Sequence, residues 1–288
     1  MVSENKAYEP EILQRVQQQV KDIAREVIAL CEAWGISYFA MGGTAIGAVR
    51  HGDIIPWDDD VDLGMLRPEY ERFLKNAAQK LPEKFELITP HNTANYSNQF
   101  AKICLKATKI RYRKTDPYKM GLFVDIFPYD VIPREESLRK KQIRKAYFLA
   151  RTFEVRCKKH PEMRLSGALD IPFQGSMRLL HNLLRIGFSD AKLLLEKYER
   201  IVQRYNGDQH PYGWACFAWT NRKLELPLIL YPEYGVPVKK KFGEFMIALC
   251  PGYDMILRRQ FGDYMKLPPE EARCNHAPYE LDFGDQGK

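Results

Sequence analysis

Four aspartates, Asp58, Asp59, Asp60 and Asp62, stand within five positions of the chain. Asp60 and Asp62 flank Val61, and Leu63 follows, so polar and apolar residues alternate there as they do along a β-strand. Side chains two positions apart on a strand share a face, with their Cα atoms roughly 6.5–7 Å apart. Two carboxylates on one face repel each other unless a cation lies between them, and Mg²⁺ prefers oxygen ligands. This spacing predicts a metal site at Asp60 and Asp62.

The other two aspartates rank lower as metal ligands. Pro56 restricts the residue before it, so regular structure is expected to resume only afterwards. Asp58 then lies in the turn and ranks third, whereas Asp59 points to the opposite face and ranks last. The alternatives are that Asp58 caps a turn and that Asp59 pairs with Arg50. For Asp60 and Asp62 the alternative is a solvated strand edge, which is the less favoured account of that pair.

A third carboxylate is expected from a later strand. The segment 121–128, GLFVDIFP, is hydrophobic apart from Asp125. A lone carboxylate in such a run is costly unless it is paired or bound to a metal, so Asp125 is predicted to join Asp60 and Asp62. Asp130 follows the proline of this segment and is expected to cap the next turn.

The elements before the aspartates suggest a phosphate site. Residues 36–40 read as a buried strand that ends at a Gly-Gly turn, and 45–50 as a short helix whose first amides are free to hold phosphate oxygens. His51 as a buried hydrogen-bonding residue is an alternative to any direct role. The residues predicted to contact phosphate or nucleotide are Gly42, Gly43, Thr44, Arg50, His51 and Lys102.

Hydrophobic periodicity predicts a scaffold of helices and strands around these residues. Helices are expected at 13–34, 67–81, 177–186, 191–205 and 253–261, and strands at 85–89, 99–105 and 236–242. The segment 134–160 is helical in pattern and carries ten basic residues against three acidic ones, an excess equal to the net charge of +7 of the whole chain. Its interpretation stays open between a surface for anionic lipid or phosphate-rich polymer and a solvated helix face.

The composition is that of an ordinary globular protein, with 288 residues, 45% of them hydrophobic and 28% charged. The length allows one large domain or two modest ones. The six cysteines are scattered with no C-x-x-C pair, which favours buried reduced thiols over a zinc site. The polar N-terminus and the absence of an apolar run near 18 residues predict neither a signal peptide nor a membrane span, so we expect a cytoplasmic enzyme.

Three stretches resemble the LicD family, the phosphorylcholine transferases of bacterial surface glycans, which are distantly related to fukutin and the fukutin-related protein. The first is long and specific, and the other two support it. They are GGT at 42–44 with GAVRH at 47–51 and IPWDDDVD at 55–62, VDIFP at 124–128, and FGDYMKLPP at 261–269. The resemblance implies an α+β fold, a nucleotidyltransferase-like mixed β-sheet core flanked by helices, with an additional mostly helical region. Residues 1–133 would form the catalytic core, and 134–288 would complete it and supply the acceptor or donor-headgroup site.

The activity implied by this resemblance is transfer of a phosphoalkyl group. The donor would be CDP-linked, usually CDP-choline, and the acceptor a hydroxyl of a cell-surface glycan or a teichoic acid precursor. Mg²⁺, with Mn²⁺ as an alternative, would be held by Asp60 and Asp62, and Asp125 would complete the metal shell or accept the proton of the hydroxyl. No nucleic acid partner is expected; peripheral contact with the inner face of an anionic membrane is an additional expectation.

Two rival interpretations compete with this one. The same acidic motif suits a nucleotidyltransferase that moves a nucleotide from an NTP to a small molecule or polymer and releases pyrophosphate. The basic helices suit a non-catalytic protein that binds anionic polymer. Asp60, Asp62 and Asp125 together argue against the second rival, because a binder of anions has no need of three clustered acids.

Overall fold

We describe a computed structural model of the chain, which covers residues 7–158, 170–188, 190–221, 223–275 and 277–284. Helices and strands are mixed, as the α+β prediction required. The strands are, in chain order, β1 (Phe39–Ala40), β2 (Asp62–Leu66), β3 (Phe85–Ile88), β4 (Ala101–Leu105), β5 (Lys109–Arg111), β6 (Phe123–Ile132), β7 (Gly213–Ala215), β8 (Leu228–Leu230), β9 (Val238–Phe242), β10 (Phe245–Leu249) and β11 (Glu280–Asp282). The α-helices are α1 (Pro10–Ala33), α2 (Gly42–Ile46), α3 (Arg67–Lys80), α4 (Glu136–Cys157), α5 (Asp170–Gly187), α6 (Lys192–Val202) and α7 (Tyr253–Phe261).

The central sheet has seven strands and is built around β6. Its main path runs β1-β2-β6-β4-β3, and β7 and β8 extend it at the far end of β6. The pair β2–β6 is parallel, whereas the other pairs of the sheet are antiparallel. All ten residues of β6 are buried. Buried on both faces and paired with β2 on one edge and with β4 and then β7 on the other, β6 can hold functional side chains in the interior of the sheet.

The helix α1 covers the main core with one apolar face. Val16, Val20, Ile23 and Val27 are spaced by four, three and four residues, which places them on one side of the helix, and all are buried. The core-facing helix predicted from this spacing is confirmed. A second hydrophobic cluster joins α4 and α6 to the end of β6 and to β7. In the part of the chain that the structure describes, no helix is long and apolar enough to cross a membrane.

The predicted Gly-Gly turn and the helix after it form one continuous element. Helix α2 begins at Gly42 itself, and the chain continues as a π-helical turn over Gly47–His51. Met41 is extended and Gly42 has φ +54°, so the reversal of direction takes place at a single glycine. The helix expected at 45–50 therefore starts three residues earlier than predicted.

The strand predicted to end at Pro128 continues to Ile132. Pairing with β4 ends at Ile126 and pairing with β7 begins at Asp130, so Pro128 lies where this edge of β6 has no neighbour. The amide of Asp125 donates to the carbonyl of Val61, on the side of β2. Backbone N–H groups alternate between the two edges of a strand, so the nitrogen of Pro128 points to the unpaired edge. The N–H that proline lacks therefore costs no hydrogen bond of the sheet. Asp130 consequently lies within the strand, and the turn cap predicted for it is wrong.

Candidate active site

The parallel pair β2–β6 places Asp62 and Asp125 side by side. The two residues are direct partners in the strand register, and the amide of Asp125 donates to the Val61 carbonyl at 3.0 Å. The amide of Asp62 donates to the hydroxyl of Thr44 at 2.8 Å, which ties the start of β2 to α2. Both aspartates are only 6% exposed. Two distant segments of sequence thus deliver two buried carboxylates to neighbouring positions.

Asp60 precedes β2 and lies next to this pair. Asp58, Asp60 and Asp62 line one cleft of about 820 Å³ together with Gly43. Asp59 is buried on another side, where its charge contributes to raising the pKa of Tyr8 after the larger effect of burial. The structure therefore places Asp58, Asp60 and Asp62 together and Asp59 apart, in line with the alternation seen in the sequence. Asp60 itself lies outside the strand.

Burial and mutual repulsion both act on the carboxylates of this cluster. The pKa values of Asp60 and Asp62 lie well above the usual range, first because burial disfavours the charged form and then because neighbouring carboxylates repel each other. Asp58 and Asp125 act on both residues in the same direction. Lys102 is the cation that opposes these effects. A cleft lined by such carboxylates favours the binding of a cation.

Lys102 is paired with Asp125 across the sheet. The two residues are partners in the β4–β6 register, and the ammonium lies 2.5 Å from Oδ1 of Asp125 and 3.4 Å from the centre of the Phe123 ring. Both side chains are buried. Burial raises the pKa of the Asp125 carboxyl, and Lys102 partly offsets that rise. Lys102 thus holds a carboxylate in place, and its predicted contact with phosphate stays a prediction.

The fit of a divalent cation rests on Asp60 and Asp62. Both carboxylates line the cleft, and neither forms an ion pair with another described residue. Across the described ranges, no group of three His, Cys, Asp or Glu side chains is arranged to hold a metal ion. Carboxylate oxygens are the ligands that Mg²⁺ prefers, and a bound cation would relieve the repulsion between Asp60 and Asp62. Asp125 is held by Lys102 instead. Mg²⁺ binding stays a prediction that rests on two carboxylates.

The two glycines of α2 lie in close contact with their surroundings. A Cβ added at Gly42 would stand 3.1 Å from the Trp219 ring, and one added at Gly43 would stand 2.5 Å from Oδ2 of Asp58. The backbone of α2 is therefore packed directly against the cleft. Glycine at these positions leaves the space that Asp58 and Trp219 occupy.

The Gly43→Ala variant should lose turnover with little loss of stability. The added methyl group would displace the Asp58 carboxylate, and a misplacement near the reacting groups costs on the order of tenfold to a hundredfold in kcat/KM. Steady-state kinetics measure the loss of turnover, and thermal melting measures any loss of stability. Gly207→Ala is the matched control, because a Cβ there meets nothing within 4 Å. Unchanged kinetics in Gly43→Ala would show that Asp58 and this backbone approach do not contribute.

Arg50 and His51 lie in the π-helical turn that follows α2. Arg50 donates to the carbonyl of Tyr264 at 2.6 Å and to Nε2 of His51 at 2.9 Å, and its guanidinium stands 5.8 Å from the centre of the Trp57 ring. Neither Arg50 nor His51 is among the described residues that line the cleft. Arg50 anchors the segment after α7 and holds His51, and the predicted contact of both residues with the nucleotide stays a prediction.

The far wall of the cleft comes from later parts of the chain. Trp219 stacks on Phe127 of β6 with ring centres 5.6 Å apart and planes 12° apart, and it is 43% exposed. The polar lining on this side consists of Arg139, Asn221, Glu225, Arg259 and Gln260. Sequence reasoning counted Arg139 among the basic residues of the segment 134–160, without placing these wall residues together. No spacing in the sequence indicated that they face the aspartates.

Comparison with known proteins finds a family match in the region that contains the aspartates. Residues 35–166 match the family model described as the LicD/FKTN/FKRP nucleotidyltransferase domain. A lipopolysaccharide cholinephosphotransferase LicD from Haemophilus influenzae is 43% identical over 111 residues, which are 38% of this chain and 41% of that protein. The ribitol 5-phosphate transferases FKRP of Mus musculus and Homo sapiens are each 54% identical over 46 residues, 16% of this chain and 9% of theirs.

The matched regions cover less than half of these curated relatives. The family match nevertheless begins before β1 and runs past β6, so it includes Asp60, Asp62 and Asp125 as well as both glycines of α2. Two of the three stretches that carried the resemblance, 42–62 and 124–128, thus lie within the matched region. The part of the chain that builds the carboxylate cluster, residues 35–166, therefore matches the nucleotidyltransferase domain of the LicD family.

Proposed function

We propose that this protein transfers a phosphoalkyl group, with phosphocholine as the leading candidate, from a CDP-linked donor to a hydroxyl of a cell-surface glycan or teichoic acid precursor. The observation that carries the proposal is the buried carboxylate cluster of β2 and β6 at a cleft of about 820 Å³. Its family domain and its similarity to a lipopolysaccharide cholinephosphotransferase support this choice of reaction. The donor, the acceptor and the metal are parts of the proposal.

The reaction exchanges one phosphorus–oxygen bond for another. The acceptor hydroxyl oxygen bonds to the distal phosphorus of the donor, the bond from that phosphorus to CMP breaks, and CMP leaves with its own phosphate. Asp60 and Asp62 would hold Mg²⁺ beside the diphosphate, where the ion would neutralise the charge that grows on the departing CMP. Thr44 would keep Asp62 in position through its hydrogen bond to the Asp62 amide.

Asp125 fits two roles in this scheme. Burial raises the pKa of its carboxyl, as a general base requires, and the residue next to it in the sheet is Asp62, as a shared metal site requires. Lys102 would restrain Asp125 in either role, because the ammonium holds one of the carboxylate oxygens. Both roles are kept in the proposal.

The wall opposite the aspartates suits the donor headgroup. Trp219 offers a partly exposed aromatic face, and Glu225 adds a negative charge in the same cleft. An aromatic face next to an acid attracts a quaternary ammonium group through cation–π and charge interactions. Trp219 and Glu225 support choline as the proposed headgroup, while the two arginines of the same wall, Arg139 and Arg259, suit the donor phosphates.

A panel of donors tests the proposal. CDP-choline, CDP-ethanolamine, CDP-glycerol and CDP-ribitol are each incubated with the protein, Mg²⁺ and a lipopolysaccharide or teichoic acid precursor, and CMP is measured. We expect the fastest release of CMP from CDP-choline. Trp219→Ala should raise the KM for CDP-choline by roughly tenfold, because the variant loses one aromatic contact to a desolvated cation.

The same panel contains the outcomes that would contradict it. Fastest release from CDP-ribitol would move the headgroup assignment towards the similarity with the ribitol 5-phosphate transferases. Pyrophosphate released from an NTP, without CMP from any CDP-linked donor, would identify a nucleotidyltransferase instead. Binding of anionic polymer with no turnover of either class would leave the non-catalytic interpretation.

A further inference from the structure

Helix α5 carries apolar side chains on the face that points to solvent. Ile171, Leu179, Leu183 and Ile186 are 81%, 62%, 55% and 80% exposed. At 3.6 residues per turn these four positions fall within roughly a third of the helix circumference. Large apolar side chains collected in one exposed stripe are unusual for a surface that faces only water.

The opposite face of α5 is packed on the end of α4. Met177 and His181 are buried, and Nδ1 of His181 lies 2.8 Å from the carbonyl oxygen of Val155. The guanidinium of Arg156 donates to the carbonyl of Phe188, just after α5, at 2.8 Å. The helix is thus held by one face, and its second apolar face is available to a partner.

Basic residues border this stripe. Arg178 and Arg185 are exposed, lie seven positions apart and fall on the edge of the stripe that Ile171 forms. Long basic side chains at the edge of an apolar face can extend along it and keep their charge in a polar layer. This arrangement is typical of a helix that lies in a membrane interface.

A basic groove lies beside α5, between α4 and α6. Its volume is about 480 Å³, and its described lining has four cationic side chains and no acidic one. Phe148 in this groove is 69% exposed. The lining residues are Arg144, Lys145, Phe148, Leu149, Lys197, Arg200 and Ile201.

The groove adjoins the end of α5. The ammonium of Lys197 in the groove stands 5.0 Å from the centre of the ring of Phe188, the residue that directly follows α5. Helix α5 and the groove are thus neighbours on α4, and one extended partner can contact both the apolar stripe and the basic groove.

We propose that the stripe of α5 and the groove of α4 and α6 together form a docking surface for an anionic phospholipid bilayer. The apolar side chains enter the boundary between headgroups and acyl chains, and the four cations of the groove bind lipid phosphates. Charge selects this partner over a second copy of the chain, because a symmetric dimer through this surface would bring the two basic grooves together.

The position of α4 connects this surface to the cleft. Arg139 lines the cleft and Arg144 lines the groove, and they are five residues apart on the same helix. If the proposed function is correct, a bilayer bound to the groove would hold a membrane-anchored glycan precursor near the aspartates. The docking itself does not depend on which reaction the cleft performs.

Co-sedimentation of the full chain with vesicles tests the docking surface. Vesicles of phosphatidylcholine alone are compared with vesicles containing about one-third phosphatidylglycerol, a fraction that gives a strongly negative surface. We expect binding to the second kind, weakened by salt. Leu179→Glu/Leu183→Glu and Arg144→Ala/Arg200→Ala should each weaken it by roughly tenfold or more.

The matched control is Val236→Glu/Met246→Glu, which adds the same two charges at exposed apolar residues elsewhere. It should bind vesicles like the wild type, and circular dichroism confirms that every variant is folded. Failure of the wild type to bind anionic vesicles, or full binding by Leu179→Glu/Leu183→Glu, would overturn the proposal. So would a wild-type dimer in analytical ultracentrifugation that this variant dissociates. Because vesicle binding is read without turnover, its failure is distinct from failure of CMP release.

Discussion

The Asp62→Asn variant should release CMP from a CDP-linked donor on the order of 10³-fold more slowly than the wild type, because it loses several kcal/mol of metal-borne charge stabilisation in the transition state. The substituted side chain would keep the shape of the aspartate, and the backbone amide at this position would keep its hydrogen bond to Thr44, so the fold should survive. Asp22→Asn, the same change at an exposed residue of α1, is the control. Wild-type turnover in Asp62→Asn would contradict the metal assignment.

The same variant should be more stable than the metal-free wild type. Burial, followed by Asp60 and Asp125, raises the pKa of Asp62 above its ordinary value of 3.8, so the folded state binds protons more readily than the unfolded state. Stability of the wild type therefore falls as the pH rises from the unfolded pKa towards the raised folded value. We expect the Tm of Asp62→Asn to exceed that of the wild type by about 2–4 °C, the shift that roughly 1 kcal/mol produces.

The pH and metal dependence make this measurement specific. The difference in Tm between Asp62→Asn and wild type should be small near the unfolded pKa and should grow as the pH rises. Added Mg²⁺ should raise the Tm of the wild type and leave that of the variant nearly unchanged. A variant less stable than the metal-free wild type at neutral pH would show that the Asp62 carboxylate is satisfied within the protein, against the proposed cation site.

The second large effect is expected from Arg67→Ala, which should lower the free energy of unfolding by about 3–5 kcal/mol. Arg67, the first residue of α3, donates through Nε and Nη2 to the two carboxylate oxygens of Asp130 at 2.8 and 2.7 Å. Asn206 donates to the same carboxylate at 2.8 Å, and Asp130 is 1% exposed. Removing the guanidinium would leave a buried charge without its main partner.

The raised pKa of Arg67 is consistent with a strong ion pair between Arg67 and Asp130. Burial acts to lower it, and the charge and hydrogen bonds of Asp130 outweigh that effect, so the pKa of Arg67 lies above its ordinary value. Urea unfolding of Arg67→Ala measures the loss. Arg72→Ala is the control, because Arg72 is on the same helix and pairs with Glu69 at the surface, where such a pair contributes at most about 1 kcal/mol.

A double variant separates the pair from the packing around it. Arg67→Met/Asp130→Leu removes both charges and keeps apolar volume, so it should recover part of the stability lost in Arg67→Ala. Equal losses in Arg67→Ala and Arg72→Ala would contradict the assignment of the Arg67–Asp130 pair as the link between α3 and β6.

The difference between Asp125 and Asp130 shows what local pattern can predict. A single acid within an apolar run predicted that Asp125 joins Asp62, and the strand register places them side by side. The sequence predicts a turn at Asp130 because proline usually ends a strand, and Pro128 precedes it. The strand continues because the edge of β6 at Pro128 has no neighbour, a fact set by where β4 ends and β7 begins. Pairing between distant strands is invisible to local periodicity.

The cleft shows a second limit of the same kind. Glycines and aspartates of residues 42–62 are close in sequence, so spacing alone could group them. Trp219 and Arg259 reach the same cleft from a 3₁₀ turn and from α7. Their positions follow from the packing of Trp219 on Phe127 and from the ion pair of Arg259 with the buried Glu233. Neither contact has a signature in the spacing of residues.

The most direct test of phosphoalkyl transfer follows the phosphorus atoms by ³¹P NMR. CDP-choline, Mg²⁺ and a glycan precursor are incubated with the wild type, and the two phosphorus signals of the donor are traced. We predict that one signal becomes CMP and the other a phosphodiester on the acceptor in equal amounts, and that EDTA or Asp62→Asn stops both changes. Intact CDP-choline alongside pyrophosphate formed from an NTP would contradict the proposed reaction.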